Sequence, residues 1–453
     1  VDSAGVMCAD FHIHSFYSAD SSDPVDAKVR GAIADGLEIP ISSEHEWIID
    51  FQPVIQKFGM TAYAFGIPSE EFTTFAWGHF GIIPMQPRPE QVNNGAVPWI
   101  GKKPTEVFHN IAELPERPVL IINHPRSSTF QGYFEAAGFD RSTATGDPDL
   151  WSDEFGAIEV FNDGDLDENR SKSVADWFSI LNHGKKVWAV GSSDSHRYRS
   201  SPVGYPRTCL RFGHDDPTQL SADKVRDALR SGDAVVSGGL YMTVTGPGGV
   251  RPGGTIPAAS GPQTFQLVVQ SPKWLSAKRV EVVVDGETVA TKELQESITP
   301  QGRRYELTVA VEPGRIHVLA DASLEPLNFA ACWNDGSSPE NYLERAGAFN
   351  AHLGPCAERW PIVTHGLTMS LGGPDPLDDH YLAEVRRFIA RVGSLIPSPR
   401  SCRRAASRPR PIARSARAPR RSGPRPRAPT ARAGRPAGAS VWHRARRRGT
   451  IRR

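Results

Sequence analysis

The sequence predicts an α/β fold, with a parallel sheet or barrel, followed by a small β-sandwich-like domain and a disordered basic tail. Three observations predict it. Short apolar runs alternate with amphipathic segments up to about residue 236, the pattern of strands joined by helical crossovers. From 239 onward, strand-like runs are separated by Gly, Pro and Asp turns, the pattern of an antiparallel sandwich. The stretch 400–453 is almost entirely Arg, Pro, Ala, Ser and Gly, a composition that cannot bury a core. The expected units are 1–238, 239–371 and an irregular to disordered 372–453.

Each element follows from its local pattern. Residues 11–14 read as the first strand and 24–35 as a helix that starts at Pro24 and closes at Gly36. A strand at 38–42 and a helix at 47–58 come next. Strands follow near 71–74 and 80–83, then a helix at 104–114 that begins with Pro and Thr. Strands at 118–123 and 157–161, a helix at 171–181 and a strand at 186–190 continue the alternation. A late helix at 221–230 has Ser221 as its N-cap. In the second unit, strands are expected at 241–245, 264–270, 279–284, 304–311 and 316–321. Asp285-Gly286 lies between two apolar runs there, a hairpin signal. Residues 332–398 offer one strand-like run, 361–371.

The formal net charge of +1 hides an uneven distribution. Of 52 Lys and Arg residues, 19 Arg fall within 400–453, which holds no Lys, Asp or Glu. Residues 1–399 therefore carry 33 basic against 51 acidic groups, a net of −18. An acidic body argues against nucleic acid as the partner of the folded part. The basic tail has two readings: an arm for nucleic acid or an anionic surface, or a stretch read in a shifted frame. The five cysteines, at 8, 209, 332, 356 and 402, show no CxxC spacing, which argues against a zinc finger or a disulfide scaffold. No apolar run reaches membrane-spanning length, and the start lacks a secretory pattern. The default expectation is a cytoplasmic chain acting on a small molecule, with export left open because the sequence starts at Val1. Oligomeric state is not set by the sequence.

Six histidines and three acids cluster at the ends of the apolar runs: His12, His14, Asp20, His45, Glu71, His79, His124, Asp194 and His196. His12 and His14 are two apart, so on a strand both imidazoles face one side. His45, His124, and Asp194 with His196 each follow a predicted parallel strand, the end where β/α barrels gather their active sites. A single histidine in such a place is more often a satisfied core or loop residue. The ordered set points to a multinuclear metal site.

These residues carry a resemblance. The run from Asp10 to Asp20, with Phe11-His12-Ile13-His14 inside it, resembles the first motif of the PHP (polymerase and histidinol phosphatase) superfamily. Ser43-Glu44-His45 resembles the second, usually Thr-Asp-His. Glu71 to His79, Asn123-His124-Pro125-Arg126, Ile158-Glu159-Val160-Phe161-Asn162 and Ser193-Asp194-Ser195-His196 follow in order. With Pro206-Arg207-Thr208, these blocks look most like the CehA/McbA-like branch. The resemblance is strong over about 8–245 and weaker through the β-rich part. It implies a distorted (β/α)7 TIM-like barrel and two or three divalent ions. One ion would use His12, His14, Glu71 and Asp194. A second would share Glu71 and use His79 and His124, and a third would use Asp20, His45 and His196. Glu44 departs from the usual Asp, as an orienting group or a surface acid. Either Glu70 or Glu71 satisfies the bridging position, with Glu71 preferred because Thr73-Thr74 follows it.

The donor types agree with that chemistry. Imidazoles and carboxylates without thiolate suit Zn, Mn or Fe, and such ions generate hydroxide near neutral pH. The leading expectation is a metal-dependent hydrolase that cleaves an ester or carbamate-type bond with metal-bound hydroxide, Glu71 and Asp194 serving the reaction as ligands. A phosphoesterase and a metal-binding but inactive interaction protein are the alternatives. Arg126 and Arg207 are candidate clamps on a substrate oxygen, against salt bridges between loops. Trp47 and Trp77 are candidate pocket walls, against core packing.

Overall fold

Short apolar strands set the frame, and their connections decide which way each one runs. The structure is a computed structural model that describes residues 3–321 except 128–130, 163–168, 198–200, 258–259, 272–276, 296–297 and 300–301. The strand-like run at 361–371 and the basic tail lie outside these residues. β1 (Val6–Asp10), β2 (Ile39–Ser42) and β3 (Ile67–Pro68) pair in parallel, and β9 (Arg207–Arg211) and β10 (Ala234–Ser237) extend that sheet antiparallel on the other side of β1. A second sheet runs in the order β4 (Glu70–Thr73), β5 (His79–Ile83), β6 (Val119–Asn123), β7 (Ala157–Asn162), β8 (Trp188–Ser192).

The expected distorted (β/α)7 barrel is not evident among the described residues. The chain forms two five-stranded mixed sheets, joined at one end by single parallel bridges, Ile13 to Ser195 and His45 to Glu71. The departure has a plain cause. β4 and β5 are separated by a loop too short for a parallel crossover, which needs a dozen or more residues, so they form an antiparallel hairpin. Gly78, at φ 101°, makes the turn, where a Cβ would meet the Tyr133 backbone at 2.7 Å. β5 then runs antiparallel to β6 as well.

Helices α1 (Val25–Ala34), α2 (Gln52–Lys57), α3 (Pro104–Ala112), α4 (Tyr133–Ala136), α5 (Ala175–Asn182) and α6 (Ala222–Ser231) cover the sheets. The helix expected over 47–58 is reduced to α2. The one over 171–181 is split, with a π-turn at Arg170–Val174 preceding α5. Ser221 caps α6 as expected, its Oγ accepting the Lys224 N–H at 3.2 Å. The core fills with aromatic and branched residues, among them Phe72, Phe80, Phe108, Ile122, Tyr133 and Phe134. One covalent tie crosses the first sheet: Cys8 and Cys209, directly opposite on β1 and β9, form a disulfide.

The β-rich part consists of two antiparallel sheets. One has the order β11 (Tyr241–Thr245), β12 (Gln263–Ser271), β16 (Gly302–Val311), β15 (Ile298–Thr299). The other has the order β14 (Glu287–Glu293), β13 (Arg279–Val284), β17 (Ile316–Asp321). They share a core that includes Phe265, Leu267, Val280, Val282, Tyr305 and Val309. Asp285 and Gly286 turn the β13–β14 hairpin with φ of 52° and 93°, the left-handed pair such a turn requires.

This part packs onto α5. Val283 joins the larger core, Arg170 pairs with Glu281, and the His317 ring rests 4.8 Å from Trp177 and 4.7 Å from Phe178. Burial lowers the His317 pKa to about 4. Between the ordinary value of 6.5 and about 4, the unfolded chain takes up a proton that the folded chain refuses. Stability is then full above pH 6.5 and falls as pH drops through that window, by on the order of 2–3 kcal/mol. Urea midpoints at pH 7.5 and 5 are expected to differ more for the native chain than for His317→Phe. Equal differences would show that this ring plays no part.

Candidate metal centre

The loops leaving β1, β2, β6 and β8 carry the expected ligands to one place. His79 joins them because β5 runs the opposite way: its first residue pairs with Asn123, the last of β6. The His12–His14 pair lies just beyond β1 rather than on it. Hydrogen bonds on both sides still hold it extended. Ile13 N–H donates to Ser43 Oγ at 2.8 Å, and His14 N–H donates to the Ser195 carbonyl at 3.1 Å.

Glu71 stands at the middle. Its Oε1 is 2.9 Å from His12 Nε2, 3.3 Å from His124 Nε2 and 3.6 Å from His79 Nδ1. Its Oε2 is 2.9 Å from His45 Nδ1 and 3.5 Å from His14 Nε2. Asp194 Oδ1 lies 3.3, 3.2 and 3.3 Å from His12 Nε2, His14 Nε2 and His196 Nδ1. Asp20, half exposed at the opening, reaches His45 Nε2 at 3.2 Å and His196 Nε2 at 3.1 Å. Four sets of three donors lie close enough to share an ion: His14, His45 and His196; His12, His14 and Glu71; His12, His124 and Asp194; Glu71, His79 and His124.

The adjacent acids Glu70 and Glu71 part company because neighbouring strand residues face opposite ways. Glu71 faces the imidazoles with Thr73, whose Oγ1 is 2.6 Å from His45 Nδ1. Glu70 faces the interior, accepts the Val97 N–H at 2.9 Å, and is pushed up to about 8 by burial.

Electrostatics in the centre is a contest between burial and pairing. Burial alone would lower His12, but Asp194, Glu71 and Glu159 override it and hold its pKa well above the ordinary value. Burial would raise Glu71 and Asp194, yet the imidazoles around them hold both well below the usual carboxylate range. His14, buried and beside His45, is lowered to about 3. His45, with Glu71 and Asp20 against it, is raised to about 10 despite burial.

The surroundings fit a cation. His12 Nε2, His14 Nε2, Glu71 Oε2 and Asp194 Oδ1 are buried without a hydrogen-bond partner. Buried polar atoms are almost always paired, and an orphan costs about 1–3 kcal/mol. Four converging orphans, all nitrogen or carboxylate oxygen, form the donor set of a borderline divalent ion. His124 and Asp194 also hold positive φ, 24° and 51°, a conformation non-glycine residues adopt at a cost.

Several further residues support the histidines and acids, and of these the sequence alone suggests a role only for Glu44. Glu44 is fully buried, accepts from Ser15 N–H at 2.8 Å and Ser18 Oγ at 2.7 Å, and Ser18 Oγ in turn meets His14 Nδ1 at 2.9 Å. It is thus an orienting group and not a surface acid. Asp10 accepts from Ser193 N–H at 3.0 Å and Gly204 N–H at 2.7 Å. Lys28, fully buried on α1, donates to the Ser195 carbonyl and Oγ, each at 2.8 Å, and so pins the loop between Asp194 and His196. Glu159, on β7, lies 3.0 Å from His12 Nδ1.

The two candidate clamps make the loop contacts that were their alternative reading. Arg126 is paired with Asp176, its Nε 2.5 Å from Oδ2, and also reaches the Phe139 carbonyl. Arg207 donates to the carbonyls of Gly204, Gly36 and Asp35. Both guanidinium groups tie loops together, and sequence position alone cannot tell an arginine at a strand end from one turned sideways. Trp77 is a core residue, packed on Phe72 and Phe80. Trp47 is half-buried after His45, its ring 6.3 Å from that of Tyr17.

The family of RiPP precursor modification enzymes MbnB/TglH/ChrH matches residues 330–402. That span lies outside the described residues and runs across the boundary expected near 371. UPF0276 proteins are similar over short stretches: 39% identity over 54 residues with one from Acinetobacter baylyi, and 42% over 52 residues with one from Nitrosospira multiformis. Each match covers 12% of this chain and 19% or 18% of the relative, so the chain spans less than a fifth of either. Among solved structures, a Bifidobacterium adolescentis protein described as a metal-dependent phosphoesterase superposes over 49% of this chain and 95% of its own, at 15% identity and a TM-score of 0.30. The lesion-specific endonuclease PfuEndoQ of Pyrococcus furiosus does so over 54% and 64%, at 14% identity and a TM-score of 0.33. At TM-scores this low the superposed parts do not define a common fold.

Proposed function

We propose that the chain is a metal-dependent hydrolase of the PHP type, with the motif order of the CehA/McbA-like branch, cleaving an ester or carbamate-type bond in a small molecule. The observation that carries this is the convergence of four unpartnered buried donor atoms around Glu71 and Asp194. His12, His14, Glu71 and Asp194 would hold one ion. Glu71, His79 and His124 would hold a second, and His45, His196 and Asp20 a third. Zn, Mn or Fe suits the donors. When bound, such an ion acts as a Lewis acid and brings the pKa of water down to about 7.

The chain's own residues supply charge, orientation and an opening. Glu71 and Asp194 bring the negative charge that retains cations. Glu44, through Ser18, fixes the His14 ring. Asp20 Oδ2 lies 3.2 Å from His45 Nε2 and 3.1 Å from His196 Nε2 where the centre meets solvent. The carbonyl reading is preferred over the phosphoryl one on charge. Arg126 and Arg207 are committed to loop contacts, and Lys28 is turned to Ser195, so none of these three cations faces the centre to neutralise a phosphate dianion.

The test uses the full chain, stripped with chelator and reloaded with Zn or Mn. Metal content is measured by mass spectrometry, and turnover is followed on nitrophenyl acetate, a nitrophenyl carbamate and nitrophenyl phosphate. Metal-restored turnover of the acetate or carbamate is expected. Turnover of the phosphate alone would overturn the carbonyl reading, and a full metal complement with no turnover would favour a binding protein.

A further inference from the structure

Glu159 is 1% exposed at its side chain, and its two oxygens serve three ligand-bearing segments. Oε1 lies 3.0 Å from His12 Nδ1. Oε2 accepts the His124 backbone N–H at 2.7 Å and Asn162 Nδ2 at 2.8 Å. Asn162 Nδ2 in turn lies 3.5 Å from Asp194 Oδ2. A carboxylate only accepts, so His12 Nδ1 carries the hydrogen. His12 Nε2 then faces Glu71 Oε1 and Asp194 Oδ1, 2.9 and 3.3 Å away, and has no hydrogen-bond partner, so an ion held among these atoms would take its lone pair. The bond to the His124 N–H also holds that residue at its φ of 24°.

We infer that Glu159 is a positioning residue: it fixes His12 as the Nδ1–H tautomer and holds the His124 backbone, and so sets the affinity of the metal centre proposed above, on which this inference rests. Carboxylates that orient a ligating histidine typically contribute 10–100-fold to metal affinity. Glu159→Gln keeps size and shape, but its amide can offer Nδ1 a hydrogen instead of accepting one.

Zn titrations of the full chain against a chromophoric chelator are expected to show binding about 10–100-fold weaker in Glu159→Gln, with the metal-free melting temperature unchanged. Co-loaded protein is expected to show an altered visible spectrum in the variant. Wild-type Zn affinity in a folded Glu159→Gln would overturn the inference while leaving the metal centre standing. A native chain that binds no Zn would remove the metal reading, and this inference with it. Should the variant not fold, nitrogen-15 histidine spectra of the Zn-loaded native chain decide the matter. A protonated His12 Nδ1 supports the assignment, and a protonated Nε2 overturns it.

Discussion

Glu71→Gln is expected to empty the centre of metal and to lower hydrolysis by about 10³-fold or more, a loss of about 4 kcal/mol in transition-state stabilisation. Glu71 contacts five imidazoles, so no other single side chain in the cluster can replace its charge. The substitution removes one negative charge and places an amide N–H₂ where an acceptor stood. Glu70→Gln is the matched control. Glu70 lies one residue away, but its carboxyl is raised to about 8 and turned to the Val97 N–H. It is therefore already neutral at pH 7, and the change to Gln is expected to leave metal content and kcat as they were. The reverse pattern, with Glu70→Gln inactive and Glu71→Gln active, would reassign the bridging acid.

Breaking the Cys8–Cys209 bond is expected to cost about 2–4 kcal/mol of stability, the usual range for a native disulfide. The two cysteines are 201 residues apart, so the bond closes most of the described α/β part into one loop. Denaturant midpoints of the native chain and of the Cys8→Ser/Cys209→Ser variant give the difference. Peptide mapping without reductant is expected to recover Cys8 and Cys209 in one linked peptide. Finding both thiols free would sink the prediction. The bond also makes stability depend on redox conditions.

The α/β pattern, the β-rich second part and most helices were legible because periodicity and turn residues are local signals. Ser221 and Asp285-Gly286 each sit where their chemistry says. The direction of β5 was less accessible. The motif order suggested a distorted (β/α)7 barrel with parallel strands, and the antiparallel β4–β5 hairpin was not anticipated. Which acids and bases meet depends on register and on long-range packing. Glu159 and Lys28 look like ordinary strand and helix residues until the sheets bring them to His12 and Ser195. Arg126 and Arg207 looked functional because they adjoin motifs, yet their side chains are spent on Asp176 and on backbone carbonyls. The disulfide escaped notice because two isolated cysteines carry no spacing signal.

The paired acids of β4 bear on how the hairpin avoids misfolding. A one-residue slip in strand register exchanges the two faces of a strand. In most active sites such an error announces itself by placing the wrong kind of side chain among the ligands. Here a slip would present Glu70 to the imidazoles in place of Glu71, a carboxylate for a carboxylate, so the penalty would fall on the interior side, where Glu71 would enter the place of Phe72. The discrimination falls to Phe72 and Thr73. Phe72, fully buried and stacked on Phe80, would be expelled into the polar centre, and Thr73 would enter the aromatic core. The buried ring next to Glu71 is thus expected to help fix which acid of β4 faces the imidazoles.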